Sequence, residues 1–172
     1  MSDSAAGRYD NTDVYYYRYG KDRVSEGWAI LSTPFRLEVP RRLYEELVAQ
    51  AVAELPNECC GVLAGTVAGG VGRVTQRYPL VNAAASPVEF ESEPASLLSA
   101  WNDINRQKLE VLAVYHSHPM SEPVPSRKDL ARSWSPDVVN FILSLLHSPP
   151  MVRGWWLTDE GYQGAEWTIQ ET

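Results

Sequence analysis

A single mixed β-sheet flanked by helices, in an α/β fold of the α+β type, is what this sequence predicts. Leu43, Leu47, Val48, Ala51 and Leu55 recur at helical spacing, as do Leu97, Leu98, Trp101 and Ile104 further on. Between and after these segments lie short apolar runs rich in β-branched residues and bounded by turn signals. The 172 residues suit one domain with a sizeable core, and 44% hydrophobic with 22% charged residues is ordinary for a globular chain.

Taken in order, residues 1–20 are polar and aromatic, with a tyrosine cluster at Tyr15-Tyr16-Tyr17, and the first dozen are expected to be disordered. Trp28 to Ser32 is a strand candidate, and Phe35 to Val39 a stronger one. Pro40 sits where a helix can begin, because its missing N–H is not needed there. That first helix runs to about Glu54. Cys59 to Val67 and Arg73 to Val81 read as paired strands around a turn at Ala68-Gly69-Gly70. An irregular stretch holding Phe90 follows, then a second helix from Pro94 to about Lys108. Val111-Leu112-Ala113-Val114-Tyr115 reads as a buried strand, and a short third helix starts at Ser126. Val138 to Leu146 is ambiguous by pattern, and Asn140 and Ser144 interrupt it. Trp155 to Leu157 and Glu166 to Ile169 flank Asp159-Glu160-Gly161, a hairpin signal. Alternation along that strand puts one of Trp155 and Trp156 in the core and the other outside.

Net charge of −7, with adjacent basic residues only at Arg41-Arg42 and Arg127-Lys128, argues against a nucleic-acid surface. The start of the chain has no apolar signal segment, and the longest apolar stretch is too short to span a bilayer. Cys59 and Cys60 are adjacent, which disfavours a structural disulfide; a reducing, cytoplasmic setting is expected.

The chemistry concentrates in His116-Ser117-His118-Pro119 and, six residues later, Ser126-Arg127-Lys128-Asp129. Residues two apart on a strand face the same side, so both imidazoles can address one ion. Pro119 ends the ladder, and a loop stiffened by Pro123 and Pro125 returns Asp129 to the same place. Hydrolytic zinc sites take three such ligands and leave a position open. Ser126 and Asp129 also form a Ser-x-x-Asp capping box. An oxygen bound to metal cannot also complete the box, so for Asp129 the two roles compete.

This pattern resembles the signature of the JAMM (MPN+) zinc metallopeptidases. Pro56-Asn57-Glu58-Cys59-Cys60-Gly61-Val62-Leu63-Ala64-Gly65 is similar to the segment that carries the family's catalytic glutamate. Asn82-Ala83-Ala84-Ala85-Ser86-Pro87 with Phe90 resembles the bacterial branch. The likeness runs from about Leu37 to Ile169, which assigns residues 37–172 to the metallopeptidase domain and leaves residues 1–36 as an extension of unassigned role. It implies a JAMM/cytidine-deaminase-like fold and makes Val138–Leu146 a strand. It further implies Zn2+ held by His116, His118 and Asp129, with Glu58 as general base and acid and Ser126 as oxyanion donor. Spacing alone would not choose Glu58 over Glu54, Glu89, Glu91 or Glu93; the resemblance does. The substrates it implies are ubiquitin-like or sulfur-carrier proteins, cut after a C-terminal Gly-Gly. Cys59 and Cys60 read as packing residues rather than ligands or a nucleophile, and His147 as surface polar. The competing readings are a metal-free interaction scaffold and a DNA-repair protein with a similar loop.

Overall fold

The computed structural model describes residues 34–133, 135–158 and 161–171. The strand candidate at Trp28–Ser32, the tyrosine cluster and the turn residues Asp159 and Glu160 lie outside them. Strand β1 (Arg36–Pro40) runs into helix α1 (Arg41–Ala53), with Pro40 at the N-cap rather than the first helical position. The helix buries Leu43, Leu47 and Ala51, residues four apart that form one stripe. Strands β2 (Cys60–Ala68) and β3 (Val71–Leu80) form a hairpin. Its two turn residues, Gly69 and Gly70, have φ of +57° and +71°, which a two-residue hairpin of this hand asks of both positions.

Helix α2 (Pro94–Arg106) starts with the Glu93 side chain accepting the Ser96 amide at 2.9 Å. It then leads to strand β4 (Glu110–His118). A proline-rich loop and helix α3 (Arg127–Ala131) connect to β5 (Val139–Ser144). Strands β6 (Met151–Thr158), β7 (Gly161–Gly164) and β8 (Trp167–Gln170) complete the fold.

The described strands form one sheet in the order β7-β6-β5-β4-β2-β3-β1-β8. Pairs β1–β3, β1–β8 and β4–β5 are parallel and the others antiparallel, so the sheet is mixed as expected. The sheet curls until distant strands meet. Phe141 on β5 lies edge-on to Trp167 on β8 at 4.8 Å, and Phe35 ahead of β1 meets Trp156 on β6 at 5.2 Å. The main core fills this concave side under α1. On the other face, α2 covers Cys60, Val62, Ala64 and Leu80. The loop and α3 cover Ile142, Trp155, Leu157 and Tyr162 through Val124 and Leu130.

Three expectations are corrected. Residues 155–157 and 166–169 do not form a hairpin. Trp155 and Leu157 pair with the additional strand β7, while β8 crosses to the far edge beside β1. Trp155 and Trp156 do point to opposite faces, but both faces are covered, and their exposures are 0% and 2%. Helix α2 buries Ala100 and Ile104 and leaves Leu98 and Trp101 exposed, because Ala100 and Ile104, four apart, form the stripe that meets the sheet with Leu97 beside them. Among the described residues, no helix is long and apolar enough to cross a membrane.

Candidate metal centre

His116 and His118 are the last outward-alternating residues of β4, with Cys60 of β2 opposite His116 on one side and Ile142 and Ser144 of β5 opposite the pair on the other. Neighbouring strands on both sides hold this end of β4, so the imidazoles stand on a rigid base. Their Nε2 atoms are 3.1 Å apart. His118 Nδ1 lies 2.7 Å from the Glu122 carbonyl, an acceptor, so Nδ1 carries the hydrogen and Nε2 presents a lone pair. Phe90 stacks on His116 with ring centres 4.6 Å apart and limits its rotation.

Asp129 arrives on the first turn of α3, and the capping box is complete. Its amide donates to Ser126 Oγ at 3.1 Å, and Ser126 N donates to Asp129 Oδ2 at 2.6 Å. The competition expected from sequence is avoided because the carboxylate divides its oxygens. Oδ2 closes the box, while Oδ1 stands 3.2 Å from His116 Nε2; Oδ2 is also 3.6 Å from His118 Nε2. Burial alone would raise the Asp129 pKa. Contacts with His116 and His118 and the hydrogen bond from the Ser126 amide outweigh it and hold the carboxyl well below its usual range. For His116, burial prevails and keeps the ring neutral. Burial also disfavours charge on His118, but Asp129 and the Glu122 carbonyl overcome it and pull that pKa upward.

Three donor atoms thus face one point, the only such group of three among the described residues. Bonds of ~2.0–2.1 Å in a tetrahedral zinc site put ligand atoms about 3.3 Å apart. The imidazole nitrogens 3.1 Å apart and Asp129 Oδ1 3.2 Å from His116 Nε2 lie close to that value, and one atom from each of the three residues falls within 4.8 Å of the others. Lone pairs and a carboxylate turned toward each other at this range repel unless a cation or proton lies between them. The residues therefore fit a zinc ion.

Glu58 sits just before β2, whose start is stitched to the end of β4. The Cys59 amide donates to Ser117 Oγ at 2.8 Å, and Ser117 N donates to the Cys59 carbonyl at 3.1 Å. Glu58 N donates to the Ser86 carbonyl, and Asn82 Nδ2 donates to the carbonyls of Glu58 and Glu89. The Glu58 side chain is 5% exposed. Burial, the largest influence, pushes its pKa up to about 7; the His118 charge opposes this, and Asp129 and Glu89 add to it. Glu58, His116, His118, Ser126 and Asp129 all line one cleft of about 630 Å³, whose other walls include Val62, Leu80, Phe90 and Val114.

Comparison with known proteins agrees with this geometry. The family described as prokaryotic homologs of the JAB domain matches residues 40–158. The chain belongs to this JAMM-type family. A relative called CysO-cysteine peptidase, from Mycobacterium tuberculosis, is 31% identical over 112 residues, covering 65% of this chain and 75% of that protein. The desampylase of Haloferax volcanii is 39% identical over 95 residues, covering 55% and 67%. Among solved structures, a protein from Desulfitobacterium hafniense superposes with a TM-score of 0.73 at 30% identity, over 79% of this chain and 94% of that one.

Within this JAB-family chain three of the four rival glutamates have side-chain partners of their own. Glu93 caps α2, Glu54 accepts from Gln50, and Glu89 pairs with Lys128 at 2.8 Å. Both cysteines are free, buried thiols, and burial raises their pKa values to about 11 and about 12, so neither is poised as a thiolate. Gly61 is required because a Cβ there would lie 2.2 Å from the Tyr115 ring. His147 is partly exposed and meets Glu122 at 2.9 Å. Sequence reading passed over Ser117, which holds the backbone of Cys59 next to Glu58, and Asn82, which holds the Glu58 carbonyl. Their signal was position alone, between two histidines and at the head of the Ala-rich segment.

Proposed function

We propose that this chain is a zinc-dependent peptidase or isopeptidase. Its substrate would be a ubiquitin-like or sulfur-carrier protein, cut after the C-terminal Gly-Gly to release cysteine or a conjugated protein. The observation that carries the reading is the meeting of one donor atom each from His116, His118 and Asp129, all within 4.8 Å of one another, with a buried glutamate in one apolar cleft. The names of the relatives support the substrate class.

His116, His118 and Asp129 would hold the ion. Bound there, zinc supplies a Lewis acid and makes water nucleophilic near neutral pH. Glu58, raised to about 7, is matched to accept a proton from the attacking water and return it to the leaving amine nitrogen. The Ser126 hydroxyl accepts the Asp129 amide through a lone pair, so its hydrogen stays available to the scissile carbonyl oxygen as charge develops. Apolar walls limit water around both groups. Two glycines suit this approach, since no side chain keeps the peptide from the recessed donors. Free buried thiols agree with a reducing, cytoplasmic setting.

The test is a carrier protein extended beyond its Gly-Gly, incubated with the zinc-loaded chain and followed by mass spectrometry. Cleavage directly after the second glycine is expected, and a bulky residue in that position should block it. Equal cleavage of the bulky variant would overturn the substrate assignment.

A further inference from the structure

Asn140 is a polar residue in an otherwise apolar strand, and neither the fold nor the chemistry above uses it. It is 7% exposed and lines the cleft. The strand's other interruption, Ser144, is accounted for: its hydroxyl donates to the Ser121 carbonyl at 2.6 Å and accepts the Leu146 amide. Asn140 has one hydrogen bond, from Nδ2 to the Val138 carbonyl two residues back, and at 3.4 Å it is long. Among the described residues no other protein group bonds this amide, which lies at the wall of the cleft. An apolar residue would continue the run of Val139, Phe141, Ile142 and Leu143, so the amide departs from the strand's own pattern where the strand meets the cleft.

Its register shows what it can reach. Asn140 pairs with Val114, one strand over and two residues back from His116, on the face that carries both histidines. Two residues of strand and one strand spacing place it about 8 Å from His116. An extended peptide covers that in two to three residues. A primary amide offers a donor and an acceptor side by side, the complement of a main-chain peptide group.

Building on the peptidase reading, we propose that Asn140 binds a main-chain peptide group of the substrate tail, just upstream of its Gly-Gly. It sets the register of the tail against the metal centre. The tail is the side it reads, because a released cysteine or a lysine side chain offers no extended main chain of that length.

The experiment uses the full zinc-loaded chain, the variants Asn140→Leu and Asn140→Ala, and tail peptides ending in a scissile bond after Gly-Gly. Each peptide is N-methylated in turn at one of the four residues before the cut. KM for the unmodified peptide should rise about tenfold or more in both variants with kcat changed far less, as expected when one buried polar contact is lost. One N-methyl position should weaken the wild type and add nothing in the variants. Asn140→Leu should melt no lower than the wild type, since it continues the apolar run and gives up only one long hydrogen bond. Unchanged KM in the variants, or an Asn140→Leu protein that melts lower, would overturn the inference while leaving the peptidase reading intact. A wild type that cleaves no Gly-Gly tail would overturn both.

Discussion

Asp129 and Ser126 bind each other twice, through Ser126 N to Asp129 Oδ2 at 2.6 Å and Asp129 N to Ser126 Oγ at 3.1 Å. The carboxylate is thereby aimed before any ion arrives, with Oδ1 left 3.2 Å from His116 Nε2. Helix start and donor atom are one device, so Ser126→Ala should do more than remove a hydroxyl. Turnover should fall ~10²–10³-fold through the lost oxyanion donor. Stability should fall by about 1 kcal/mol through the lost cap. Ser126→Asn, which can still cap, should recover stability and not rate. If Ser126→Asn restores turnover as well, the hydroxyl has no role in the chemistry.

The donor set predicts one zinc per chain, removable by a strong chelator. His116→Ala and His118→Ala should lose it, and Asp129→Asn should bind it more weakly while keeping an acceptor for the Ser126 amide. Because the ion binds only the folded chain, loading should raise Tm in the wild type and not in the double histidine variant. Elemental analysis finding a full zinc complement in that double variant would sink the assignment.

On the proposed reading Glu58 handles protons and is not a metal ligand, so Glu58→Gln should retain zinc and fold. An amide of nearly the same size cannot take the proton. General acid–base catalysis is typically worth ~10²–10⁴-fold, and one residue serves both transfers here, so a loss at the top of that range or beyond is expected. Zinc content, Tm and cleavage rate measured on one preparation decide it. Near wild-type turnover would move the base to another carboxylate, with Glu89 first in line because it also lines the cleft.

The same residue makes a prediction that needs no substrate. Its pKa is about 7 in the folded, metal-free chain against an ordinary 4.5, so folding favours the protonated form. Its contribution is fully present below pH 4.5 and is lost as pH rises through 7. Glu58→Gln is neutral throughout. The metal-free variant should therefore match the wild type near pH 4 and exceed it at pH 8 by about 1–3 kcal/mol. Denaturant titrations at the two pH values measure this difference. A gap that is the same at both would show that Glu58 is ionised throughout.

Much of the centre could be read from the chain because it is built from short-range parts. Two histidines two apart at a strand end must face one side, and Asp129 is delivered by a helix cap eleven residues later. Helix α1, the β2–β3 hairpin with its Gly-Gly turn and strand β4 are likewise local patterns, and they formed where the patterns placed them. What depends on partners far along the chain could not be read that way. The sheet curls until Phe141 meets Trp167 and covers both of its faces, so both Trp155 and Trp156 are buried despite their alternation. Strand β8 lies beside β1, more than 120 residues away, and no local signal encodes that neighbour. Glu58 differs from the other candidate glutamates only through the burial that β2, β4 and the Asn82 segment impose together. Asn140 reads from sequence as a flaw in an apolar strand. Only the pairing of β5 with β4 places it in the cleft beside the candidate metal centre, because strand order, unlike strand periodicity, is decided by contacts between distant segments.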